Sequence, residues 1–291
     1  MTSTGSVQAH SGKTSAPAAA LHARCLAHVL ARIADTPVGE QPFHHMFIDR
    51  IFPDDVYDAL RAHMLGFKHS DRVQDRLQDN PAFANRRYNL FDSADGIVAC
   101  VRAVFTDPRV KTAMLGRFYV DPTRTLADVL SIHHEFEYTF TQAGRFQNIH
   151  IDIPAKYLSF VFYIPEHPAP PAEEARNATI LYDRALQPHY LARFRANAVC
   201  VFAPHFHSYH GFSSTIDRDV MVMFYVDPDA VQRWRDIRQQ RPEAPPFNDL
   251  LDEIEAKLRA HPLIEFGADE GRLLAERAAC RVNAPQGRVL V

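Results

Sequence analysis

Between residues 130 and 226 the chain carries three apolar runs, "YLSFVFYIP", "NAVCVFAP" and "RDVMVMFYV". These constrain the fold more than any other feature. Each has the length of a buried strand and is far too short to cross a bilayer. Weaker runs surround them. "SIHHEFEYTFTQAGRFQNIHID" reads as strand, turn at Ala143–Gly144, strand. "NATILYD" reads as another strand, after the Pro-rich loop "EHPAPPAEEARN". Several short strands separated by loops predict a sandwich or barrel, here a jelly roll.

Helical patterns flank this region. Leu21, Cys25, Leu26, Val29, Leu30 and Ile33 repeat on one face, and Pro53 and Asp54 start a second helix. Ile97, Val98, Val101, Val104 and Phe105 mark a third. "FHHMFIDRIF" alternates like a strand, and "ANRRYNLFD" reads as a charged loop. After Pro228 the runs "DAVQRWRDIRQQ" and "FNDLLDEIEAKLRA" are helical again. The expectation is a disordered tail over 1–19 and one domain over 20–291. That domain divides into a mostly helical part (20–125), a jelly-roll core (126–227) and C-terminal helices (228–291), which offer a homodimer surface. The fold class is a mainly β core with flanking helices.

Composition excludes several classes. The net charge of −3 and the absence of a Lys/Arg stretch leave no nucleic-acid footprint. The four cysteines, at 25, 100, 200 and 280, form no C-x-x-C pair, so neither a zinc ribbon nor a disulfide framework is indicated. A reducing, cytoplasmic setting follows as the expectation. No membrane partner is indicated.

Within "QNIHIDIPAK", His150 and Asp152 stand two residues apart at a strand start and so share a face. A buried carboxylate beside an imidazole needs a partner, either a local cation or a metal ion. A third ligand has to come from a distant strand, and "PHFHSYHGF" offers His205, His207 and His210. Two imidazoles and one carboxylate on one face of an octahedral ion leave adjacent positions open, as in non-heme Fe(II) oxygenases. An oxo-acid bound there brings a second carboxylate, which a buried Arg neutralises best. Arg218 opens the last apolar run, eight residues after His210.

The pattern His150-x-Asp152, then His210-Gly211, then Arg218 resembles the Fe(II)/2-oxoglutarate-dependent dioxygenases, in particular a bacterial branch related to the prolyl-hydroxylase-like members. The resemblance covers roughly residues 130–226. It implies a double-stranded β-helix, with Fe(II), 2-oxoglutarate and O2 as cofactor and cosubstrates. It also implies oxidation of an unactivated C–H bond of a small-molecule substrate, with release of succinate and CO2. His150, Asp152 and His210 are then the metal ligands, His205 and His207 rim residues, and Arg218 the cosubstrate anchor. Asn148 and Thr179 are further cosubstrate candidates, although the Gly pair the family often has around that Thr is absent. Arg86, Arg87 and Tyr138 are candidates for substrate binding. In halogenating relatives the carboxylate position is Gly or Ala, so Asp152 argues for oxygenation. Two other classes use the same residues differently: a Zn-dependent hydrolase with these three ligands, and a non-catalytic ligand-binding jelly roll.

Overall fold

The computed structural model describes residues 16–70, 85–91, 93–119, 130–132, 136–150, 152, 156–204 and 207–226, with Pro228 and Gln232 singly. The expected tail over residues 1–15, the C-terminal helices and His205 lie outside the described residues. Within them the tail expectation fails at its end, because helix α1 already begins at Ala16 (Ala16–Asp35).

Among the described residues, the first part of the chain carries helices α1, α2 (Asp54–Lys68), α3 (Gly96–Thr106) and α4 (Pro108–Phe118). Each buries one stripe, such as Cys25, Leu26, Val29 and Ile33 on α1, or Val98, Val101, Val104 and Phe105 on α3. The third expected helix is α3, and a separate helix, α4, follows it directly. Asp107 ends α3, and its side chain accepts from the Arg109 N–H to cap α4. Pro108 disfavours helical backbone at the residue before it, which fixes the break.

The strands are β1 (His45–Ile48), β2 (Asn85–Asn89), β3 (Ser131–Ile132), β4 (Glu137–Thr141), β5 (Phe146–His150) and β6 (Lys156–Tyr163). After a short helix α5 (Pro171–Arg176) come β7 (Thr179–Tyr182), β8 (Pro188–Ala192), β9 (Ala198–Phe202), β10 (His210–Ser213) and β11 (Arg218–Val226). They form a major sheet in the order β1-β9-β6-β11-β4-β2 and a minor sheet in the order β5-β10-β7-β8. The strands from β4 to β11 pass back and forth between the two sheets, which makes the core a double-stranded β-helix. The segment "NRRYN", read as a loop, is strand β2. It pairs with β4 at the edge of the major sheet, with Arg87 opposite Thr139.

The strict alternation of the major sheet builds two cores. Leu158, Phe160 and Phe162 of β6, Val199 and Val201 of β9, and Met221, Met223 and Tyr225 of β11 pack outward against the helices. Tyr163, Cys200, Phe202 and Val220 point inward, between the sheets. Burial on both faces explains why these strands read as continuous apolar runs. Cys200 is a buried small hydrophobe there.

Candidate metal centre and adjoining cavity

Pairing of β5 with β10 places His150 directly opposite His210. Their ring centroids lie 4.2 Å apart. Asp152 joins them, and one ligating atom from each of the three lies within 4.8 Å of the others. His150 and His210 are buried. The Nδ1 of His210 lies 2.8 Å from the Ser208 carbonyl oxygen. A carbonyl only accepts, so Nδ1 carries the proton and Nε2 keeps its lone pair for the cluster. Burial lowers the His210 pKa, favouring the neutral ring that ligation requires. Gln147 Nε2 is 3.0 Å from His150 Nε2. His207 is half-buried and stands outside the cluster.

Of the partners raised by the sequence for Asp152, the local cation is Lys156, and the same carboxylate also belongs to a cluster able to hold a metal. Lys156 Nζ lies 3.1 Å from Asp152 Oδ1, and Ser159 Oγ donates to Oδ2. Burial works to raise the Asp152 carboxyl, but Lys156 and the two histidines outweigh it and hold the group ionised, well below the ordinary carboxylate range. Each carboxylate oxygen is thus oriented and still has a lone pair to offer. Two imidazoles from the β5–β10 strand pair and the carboxylate of Asp152 form a donor set suited to Fe(II).

A cavity of about 100 Å³ opens beside the three residues. Arg218, only 2% exposed, closes one end. Its Nη2 donates to Thr179 Oγ1 at 2.7 Å and its Nε to the Asn177 carbonyl at 3.2 Å. The Tyr163 hydroxyl donates to the same Thr179 oxygen at 2.8 Å. The guanidinium carbon sits 3.9 Å from the Phe212 ring centroid. Burial pulls the Arg218 pKa down to about 10, which leaves it charged at neutral pH. A buried guanidinium bonded to neutral groups is a ready receptor for a carboxylate.

The remaining sequence candidates separate. Thr179 lines the cavity and bonds Arg218. Arg87 lines the cavity, whereas Arg86 is not among its walls. Tyr138 is no wall either. It points outward from β4 into the helix-facing core, where its hydroxyl meets His63 Nδ1 at 2.9 Å. The reason is parity, since Glu137 and Thr139 take the inward positions on that strand. Asn148 falls in β5, and its side chain lies outside the described part. Sequence reasoning missed Lys156, Ser159 and Ser208. Tyr163 is a fully buried core residue that reaches the site only through its hydroxyl on Thr179.

The two-sheet core and the His/Asp/His cluster define a class: a double-stranded β-helix protein with a two-histidine, one-carboxylate centre, as in the Fe(II)/2-oxoglutarate-dependent oxygenases that the chain resembles. No protein-family model and no curated protein sequence matches the chain. Among solved structures it is similar to a Pseudomonas putida prolyl-4-hydroxylase, with 15% identity over 69% of this chain and 98% of that one, at a TM-score of 0.48. It is also similar to a prolyl hydroxylase in complex with a hypoxia inducible factor oxygen degradation domain peptide fragment from Trichoplax adhaerens, with 12% identity, 74% and 95% coverage and a TM-score of 0.49. A third is HygX from Streptomyces hygroscopicus with nickel and 2-oxoglutarate bound, with 12% identity, 63% and 82% coverage and a TM-score of 0.42. The chemistry of the site rests on this chain's own residues.

Proposed function

We propose that this protein is an Fe(II)- and 2-oxoglutarate-dependent dioxygenase that hydroxylates an unactivated C–H bond of a small molecule, converting 2-oxoglutarate to succinate and CO2. The observation that carries the reading is the pairing of two features in one cavity: the His150/Asp152/His210 cluster and the buried Arg218, to which no carboxylate is bonded among the described residues. A Zn-dependent hydrolase has use for the first and none for the second.

In this reading His150, Asp152 and His210 hold the iron, and the Ser208 carbonyl keeps His210 in the ligating tautomer. Arg218 takes the distal carboxylate of the cosubstrate, with Thr179 and Tyr163 fixing the guanidinium. Bound Fe(II) supplies the redox chemistry by which O2 is reduced at the expense of cosubstrate decarboxylation. Phe202, Phe212 and Val220 line the cavity and keep water from the reacting atoms. Ser159 and Lys156 hold Asp152 in its orientation.

Metal retention after His210→Ala and His207→Ala tests the ligand assignment. Iron measured after gel filtration should be lost from the first variant and kept by the second. Loss from His207→Ala with retention in His210→Ala would refute it.

A further inference from the structure

The inner face of the major sheet changes character across its width. Phe202, Val161, Val220 and Val222 make its cavity-facing surface apolar on β9, β6 and β11. On β4 and β2 the same surface is Thr139, Arg87 and Asn85. Arg87 and Thr139 are register partners and therefore stand side by side. The Thr139 hydroxyl is buried, with the residue 7% exposed, and has no hydrogen-bond partner among the described residues. A hydroxyl left this way on a cavity wall is matched by something that enters the cavity.

Charge points to what enters. Among the described residues, three cations line the cavity, Arg87, Lys156 and Arg218, against one carboxylate, Asp152. A divalent metal and a doubly charged oxo-diacid cancel, so loading the cavity leaves this surplus unchanged. Glu137 offsets part of it, 3.3 Å from Arg87 Nη1. One positive charge still remains. Arg87 uses Nε on Asn85 and Nη1 on Glu137, and among the described residues its Nη2 has no acceptor.

We propose that the substrate is a carboxylate-bearing small molecule whose carboxylate is received by Arg87 and the Thr139 hydroxyl on the β2–β4 flank of the cavity. This inference rests on the oxygenase reading and extends it from reaction type to substrate class. The carboxylate accepts from both groups, and the apolar β6 and β11 surface takes the carbon skeleton. A neutral or cationic substrate would leave the surplus charge on the cavity wall without a counter-charge.

The test uses full-length protein held anaerobically with Fe(II) and saturating 2-oxoglutarate. The probes are amino, hydroxy and aromatic monocarboxylic acids at millimolar concentration, each paired with its own primary amide. Binding is read as a shift in thermal midpoint, and stimulated succinate formation is read afterwards in air. We expect at least one acid to bind with an advantage over its amide of about tenfold or more. Arg87→Met and Thr139→Val should bring that advantage towards one, and Arg87→Lys should recover part of it. Amides or amines binding as tightly as acids, an undiminished acid preference in Arg87→Met, or no acid binding at all would overturn the proposal. A wild type showing no midpoint shift with 2-oxoglutarate itself would overturn the oxygenase reading as well, so the two failures are seen separately in the same samples.

Discussion

Replacing Lys68 by Met should destabilise the fold more than any other single change at a charged residue outside the cavity. Lys68 ends α2 with its side chain 7% exposed, and its Nζ lies 2.9 Å from each of Glu166, Asp217 and Asp219. The latter two flank Arg218, so this one ammonium ties the helical layer to the start of β11. Glu166 and Asp217 are partly exposed, and the loss of such contacts costs about 0–1 kcal/mol each. Asp219 decides the magnitude. Its side chain is 1% exposed, and its Oδ1 has no partner among the described residues. Removing one member of a buried pair costs about 3–5 kcal/mol, because the other charge stays behind. The pH dependence follows from the shifts. Burial pushes Asp219 up to about 6 even beside Lys68, while Lys68 holds Glu166 and Asp217 below their ordinary range. A depressed carboxyl contributes stability above its unfolded value and loses it as pH falls through the folded one. The cost of Lys68→Met should therefore be largest near neutrality and shrink below about pH 4, where the carboxylates protonate. Asp219 has the opposite sign: its folded value is raised, so the wild type should lose stability through it as pH rises from about 4 to 6, and Asp219→Asn should remove that loss. Urea unfolding at pH 7 and pH 4 measures both. A Lys68→Met cost under about 1 kcal/mol at pH 7 would refute the argument, since it would mean that Asp219 is not held as a buried charge.

Three further outcomes are expected. Arg218→Lys keeps the charge but loses the two-pronged geometry, so the 2-oxoglutarate requirement should rise about tenfold or more while iron retention is unchanged. Unaltered 2-oxoglutarate dependence in Arg218→Ala would remove Arg218 from the site. Thr179→Val deletes the acceptor shared by Arg218 and Tyr163 and should weaken cosubstrate binding by about 1–3 kcal/mol. An equilibrium titration that shows no change would contradict that role. In the proposed reading the product should gain oxygen or lose two hydrogens, with no mass change on adding chloride or bromide, because Asp152 would take the metal position that a halide needs. A halogenated product would overturn the ligand role of Asp152.

The major-sheet strands β6, β9 and β11 were legible because burial on two faces leaves continuous apolar runs, and a period of two puts His150 and Asp152 together without any tertiary information. The register that sets His210 against His150 could not be read, since it depends on a β-bulge between His210 and Phe212. Strand β2 was missed for a related reason. Its inward residues, Asn85 and Arg87, face a polar cavity, and its outward Tyr88 packs against the helices, so the alternation is inverted from the expected apolar-in pattern. Tyr138 was drawn to the site by proximity in sequence and lost to it by parity. Lys68 joins Asp219 across 151 residues, and no local pattern marks such a contact.

The central claim is that the His/Asp/His cluster and Arg218 jointly bind iron and an oxo-acid. An anaerobic visible spectrum of the Fe(II) protein tests it most directly. Adding 2-oxoglutarate should produce a metal-to-ligand charge-transfer band that is absent with succinate, lost in His210→Ala and weakened in Arg218→Lys. A protein that retains Fe(II) but shows no such band at any 2-oxoglutarate concentration would contradict the account.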